Sequence, residues 1–214
     1  MRALFSVLMS MLLLVGPAVH AQGQSRADAA QALSDADPRL RREAADRLGE
    51  IGTMADLPLL VRALRDVDED TRDNAEQAMW RIFGRSGDAA VDRLYEAGVR
   101  QMEAGELRQG IATFTRVIER KPDFAEAWNK RATLYFMTGE LRRSLADCDE
   151  VIKRNPYHFG ALAGYVQIYI RLEYYDRALE YSRRAIAVNP NMEGIKRNML
   201  LLERLLDERR RRTI

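Results

Sequence analysis

Phe124–Pro156, FAEAWNKRATLYFMTGELRRSLADCDEVIKRNP, recurs on both sides of itself at a spacing of 34 residues. The pattern predicts one helix up to a turn at Thr138-Gly139-Glu140 and a second helix closed by Asn155-Pro156. Trp128, Ala132 and Tyr135 share a face of the first helix, and Ser144, Cys148 and Val151 share the facing side of the second. One spacing upstream lie Leu94, Gly98, Gln101, Gly110, Phe114, Val117 and Pro122; one spacing downstream lie Leu162, Val166, Tyr169, Ala178, Ser182, Ala185 and Pro190. Three helical pairs therefore stand in register. A single pair cannot bury its apolar face alone, so the fold class is all-α, a helical-repeat solenoid in which each pair covers the next.

At these offsets the units closely resemble the tetratricopeptide repeat, whose pattern asks for Trp, Leu-Gly, Tyr, then Ala, Phe and a terminal Pro. The central unit departs from it with Arg131 for Leu, Ala132 for Gly, Ser144 for Ala and Cys148 for Phe. All but Arg131 are small enough for a close helix crossing. The resemblance implies three units at about 91–122, 125–156 and 159–190, within an array of residues 88–190. The phrases Pro122–Tyr135 and Asn155–Gly164, with the helix end Met79–Phe83, also look like a group of small exported bacterial tetratricopeptide proteins. That wider resemblance covers roughly residues 75–190 and implies a fold and export, not an activity.

A different repeat precedes it. Asp35–Gly52 aligns with Asp66–Phe83 at a shift of 31, pairing Leu48 with Met79 and Ile51 with Ile82. Each Asp-rich turn is expected to cap a helix, with Pro38 in a first turn and Arg41, Arg42 and Arg47 on exposed positions. Leu57–Leu64, with Pro58 early, forms the shorter partner helix, and Asp28–Leu33 opens the first unit. Residues 22–87 thus look like a pair of short bacterial HEAT-like repeats. Gly84-Arg85-Ser86-Gly87-Asp88 breaks the helix but is too short for a flexible linker. The HEAT-like pair is therefore expected to pack directly on the first tetratricopeptide unit. After Pro190, Ile195, Met199, Leu202 and Leu206 recur at helical spacing, as a capping helix within residues 191–214 requires.

Residues 1–21 read as a signal peptide: Arg2, an apolar run Ala3–Val15, the breaker Gly16-Pro17, and Val19-His20-Ala21 before the cut. Cleavage there makes the protein periplasmic or secreted, and membrane contact is expected only if the leader stays on. A formal net charge of +2 implies no polyanion partner, so nucleic acid is not expected. The terminal Arg209–Arg212 suit the negative end of a helix dipole. Cys148 is the single cysteine, which rules out an internal disulfide.

The residues offer little chemistry. His158 is the one histidine after the leader and reads as a cap for the next helix rather than a catalyst. Cys148 sits at an inward small-residue position and reads as a buried thiol. Asp66–Asp70 spaces carboxylates like the start of a calcium loop, but Thr71 stands where a sharp-turn glycine belongs and Gln77 where a bidentate glutamate belongs, so it reads as a capping turn. No catalytic residue, cofactor or metal is assigned, and the chain is not expected to be an enzyme. What remains is surface. By resemblance the first helices of successive units line a concave groove, here at Tyr95, Val99, Met102, Asn129, Lys130, Thr133, Phe136, Met137, Gln167, Ile170 and Arg171. The expectation is an exported, non-enzymatic scaffold or adaptor that holds a protein or peptide partner there. Two alternatives stand beside it: an accessory subunit or lyase-like enzyme factor, since short HEAT-like repeats also occur in chromophore lyases, and a self-associating structural spacer.

Overall fold

Where an Asp-rich turn precedes an apolar-periodic run, a helix begins. A computed structural model describes residues 25–212, so the expected leader, residues 1–21, lies outside the described residues. Every described element is helical: α1 (Arg26–Ala32), α2 (Pro38–Ile51), a single 3-10 turn (Met54–Asp56), α3 (Leu57–Ala63), α4 (Glu69–Phe83), α5 (Ala89–Glu103), α6 (Leu107–Arg120), α7 (Ala125–Met137), α8 (Leu141–Arg154), α9 (Phe159–Arg171), α10 (Tyr175–Val188) and α11 (Glu193–Arg212). Asp37 caps α2 by accepting the Arg39 N–H, with Pro38 in the first turn. Asp68 caps α4 by accepting the Thr71 N–H, so the acidic run at residues 66–70 is a capping turn.

The arginines that follow are not where the sequence places them. Arg41 is only 9% exposed, and its Nε and Nη2 donate to both carboxylate oxygens of Asp66 at 2.8 and 2.7 Å. Its Nη1 holds the carbonyls of Asp35 and Ala36. Arg72, one repeat later, holds those of Asp66 and Val67 in the same way. Arg42 reaches Asp68 at 2.8 Å, and Arg47 pairs with Glu50. The reason is the stack itself, which sets the arginine of one unit beside the acidic turn of the next, and a two-pronged bond makes burial tolerable. The guanidiniums hold the carboxyls of Asp66 and Asp68 below the usual range.

From α5 onward the helices pair as their spacing predicts. Ala132 and Tyr135 of α7 and Ser144, Cys148 and Val151 of α8 are all buried. Gly139 turns the chain between these two helices with a left-handed φ of 81°. A close crossing also explains Gly98 on α5. A Cβ there would lie 2.8 Å from the ring of Phe114, which is fully buried and cannot retreat. Gly98→Ala gains about 1 kcal/mol of helix propensity but overpacks a core at a cost of about 1–3 kcal/mol. The expected net result is a loss of stability, read as a lower urea midpoint. A raised midpoint would show that Phe114 can move.

The two repeat arrays do not simply join end to end. Trp80 and Phe83, at the close of α4, pack on the turn that starts α9: Trp80 meets Phe159 edge-on at 4.9 Å, and Phe83 stacks on His158 at 4.6 Å. Phe159, with Tyr157, Val188 and Met192, belongs to the same apolar cluster as α1–α4. Polar ties follow the same edge: Arg65 donates to the carbonyls of Ala187 and Val188, Asn191 to Leu64, and Asn189 to Glu76. The first array is thus seated on the turns that precede α9 and α11, rather than on the first 34-residue unit as expected. At the far end Ile195, Leu202 and Leu206 of α11 are buried and close the core, as a cap must.

Candidate functional site

Side chains that face neither their own pair nor the next collect on the inner helices. Asn129, Thr133 and Phe136 of α7 meet Gln167 of α9 across a groove of about 150 Å³. Its floor is small or apolar, with Ala132, Ser144, Cys148, Gly160, Gly164 and Ile168. Ser144 Oγ is already committed to the Ala132 carbonyl at 2.7 Å. Burial pushes the Cys148 thiol up to about 12, so it lines the floor as a neutral group and not as a nucleophile. The arrangement can hold an apolar side chain against Phe136 while Gln167 offers its amide, and Asn129 its amide oxygen, to a peptide backbone.

Of the other residues expected in the groove, Arg171 borders it and the rest sit elsewhere. Tyr95 packs between Phe114 and Phe124, and its hydroxyl faces Glu126 at 3.5 Å. Lys130 turns to the same Glu126 at 3.2 Å. Ile170 packs against the clusters around Val166 and Leu202. Arg171 lies over the Phe136 ring and donates to the Phe136 carbonyl at 3.1 Å, so it closes one end of the groove. Met137 is exposed at the end of α7, while Val99 and Met102 are half-buried on α5.

Two features carry no mark in the repeat pattern. Trp80 of α4 reaches the groove's edge so closely that a Cβ on Gly160 would lie 2.5 Å from its ring. Nearby, Glu76 shares a broader hollow with Gln167, Arg197 and Asn198. Below α7, the buried Glu126 gathers four donors: the Nε2 of His158 at 2.6 Å, Asn129 at 3.1 Å, Lys130 and Tyr95. The Nδ1 of His158 accepts the Ala161 N–H and caps α9, which assigns the ring proton to Nε2. Burial alone pushes the Glu126 carboxyl up, yet the bonds from His158 and Lys130 outweigh it and hold it below its ordinary range. A buried carboxylate four residues before a lysine was the available clue, but its histidine partner stands a whole repeat away. Among the described residues no group of His, Cys, Asp and Glu is placed to hold a metal ion, and no helix is long and apolar enough to cross a membrane.

HEAT repeats match residues 15–80 of the sequence, and the tetratricopeptide repeat matches residues 160–192. The chain carries HEAT-like and tetratricopeptide repeats. A TPR repeat-containing protein of Rhizobium etli is 33% identical over 104 residues, which is 49% of this chain and 51% of that protein. The repeat protein thus spans about half the length of this curated relative. Among solved structures, the Sgt2 TPR domain from Aspergillus fumigatus superposes with a TM-score of 0.55 at 20% identity, over 58% of this chain and 83% of that one. The first TPR of Spaghetti, bound to an HSP90 peptide, does so with 0.53 at 18% identity, over 55% and 93%. At such identities the likeness is one of fold.

Proposed function

We propose that the protein is an exported, non-enzymatic scaffold that holds a peptide segment of a partner protein in the groove between α7 and α9. The observation that supports this most is the groove itself: an apolar floor with Phe136 on one wall and the amides of Asn129 and Gln167 at the rim. Helices packed on both sides keep it preformed, so a ligand loses its own entropy but the site loses little. The Spaghetti domain solved with a peptide shows that this type of fold can present such a segment. Export rests on the leader at residues 1–21, and its cleavage places the groove in a periplasm or outside the cell.

The test uses protein recovered from its native compartment, with its intact mass read first. Chains beginning at Gln22 support export; chains that keep Met1 point to a membrane-held form. The partner captured on it is then titrated calorimetrically. Phe136→Ala is expected to weaken binding roughly five- to a hundred-fold, about 1–3 kcal/mol, with the helical signal unchanged. Met137→Ala, at the exposed end of α7, should change it by less than about threefold. Equal affinity for the parent and Phe136→Ala would move the site off the groove.

A further inference from the structure

A second cleft, of about 120 Å³, lies between the two arrays at the N-terminal end of α7. One of its walls is Asn155, which is 1% exposed. The Oδ1 of Asn155 accepts the Tyr157 N–H at 3.1 Å, which settles the orientation of the amide, and its Nδ2 has no hydrogen-bond partner among the described residues. A buried donor left so is costly. The chain shows what such a donor takes. Asn189 occupies the same position in the turn one repeat later, and its Oδ1 accepts the Asn191 N–H just as Asn155 does with Tyr157. The Nδ2 of Asn189 donates to the Glu76 carboxylate at 2.9 Å. At Asn189 the chain supplies a carboxylate to the turn, and at Asn155 none of the described residues does.

The rest of the cleft has the matching charge. No side chain caps α7, so the N–H groups of its first turn, at Ala125 and Glu126, present the positive end of a 13-residue helix to the cleft. Lys121 stands beside it, one-third exposed and paired at 3.2 Å with the exposed Asp123, with the Asp88 carboxylate farther off. Arg85 lines the opposite wall, with its Nη groups on the carbonyls of Gly49, Glu50 and Gly52, so its charge is not met by a carboxylate there. The cleft also contains Glu126, but its two oxygens are already held by His158, Asn129, Lys130 and Tyr95. Met54, Phe83 and Phe124 form an apolar side. A water needs roughly 10–15 Å³ by a comparable measure, so the space admits several heavy atoms.

We infer that this cleft binds a carboxylate on a short aliphatic stem, with the charged end on Asn155 Nδ2, the first turn of α7 and Lys121, and the stem against Phe83 and Phe124. The group can come from a glutamate side chain of a docked peptide or from a free short-chain acid. Both offer the same chemistry, and the site is separate from the groove above.

The side-chain amide of Asn155 reports on it directly. The full chain, labelled with nitrogen-15, is titrated with butyrate, with N-acetyl-glutamate amide and with N-acetyl-glutamine amide. The expected result is a saturating shift of the Asn155 amide resonance in the millimolar range with one or both carboxylates. Saturation by butyrate alone identifies a free acid, by the glutamate compound alone an acidic side chain, and by both a site open to either. Lys121→Gln, at a partly exposed position, should weaken binding at least fivefold, and Phe136→Ala should leave it unchanged, so failure here is distinguishable from failure of the groove. No saturation by either acid, equal binding of the glutamine compound, or indifference to Lys121→Gln would overturn the inference.

Discussion

Arg131→Leu, which restores the residue the repeat pattern asks for, is expected to destabilise the fold by about 3–5 kcal/mol. The Arg131 side chain is 13% exposed and that of its partner Asp147 only 7%. Nε and Nη2 grip the two carboxylate oxygens at 2.7 and 2.8 Å, while Nη1 donates to Thr115 at 3.0 Å. The guanidinium also lies over the rings of Trp128 and Tyr135. Leucine would leave the Asp147 charge buried without its two-pronged partner, with only the more distant Arg143 guanidinium near it, and that penalty exceeds any gain from the apolar side chain. Removing both charges in Arg131→Leu with Asp147→Ala should recover most of the loss. Urea unfolding of the two single variants and the double variant measures the coupling. A double variant whose loss equals the sum of the singles would mean that the pair contributes nothing specific.

Phe159→Ala should be as costly, about 3–5 kcal/mol, because its ring is 1% exposed and truncation leaves a cavity where two arrays meet. Its effect should also have a particular form. Phe159 stands on α9 but belongs to the apolar cluster of α1–α4 and packs on Trp80 and Phe83. With that ring gone, the first array keeps the stack of Phe83 on His158, the partly buried Tyr157, Val188 and Met192, and polar ties along the edge, chiefly Arg65, Asn189 and Asn191. Unfolding followed by tryptophan fluorescence, which reports on Trp80 as well as Trp128, should then part from unfolding followed by helical circular dichroism. A single coincident transition at the parent's midpoint would show that the arrays are joined by something other than this aromatic contact.

Both predictions turn on residues whose type was plain in the sequence but whose partners were not. Arg131 stood out as a departure from the repeat pattern, and nothing in its spacing pointed to Asp147. Arg41, by its place after the capping turn, is expected on an exposed position, yet the stack brings Asp66 to it. In the groove, Asn129, Thr133, Phe136 and Gln167 were legible, since a side chain's place on an inner helix follows from register alone. Lys130 and Tyr95 occupy comparable positions but turn to Glu126. A charge or a hydroxyl goes where its partner is, and register does not say where that will be.

The sequence by itself determined the helices, the caps at Asp37, Asp68 and His158, the 34-residue stacking and the closing role of α11. Each of these depends on contacts within one helix or between neighbours along the chain, and such contacts leave a periodic trace in residue type. The tertiary structure alone decided where α1–α4 came to rest. The aromatic contact of Trp80 and Phe83 with His158 and Phe159 joins residues far apart in the chain. It depends on the path taken through Gly84–Asp88, where the left-handed Gly87 sets the direction of the next helix. A contact made once has no period, and so the cleft at Asn155, which that contact creates, could be seen only after the arrays had been brought together.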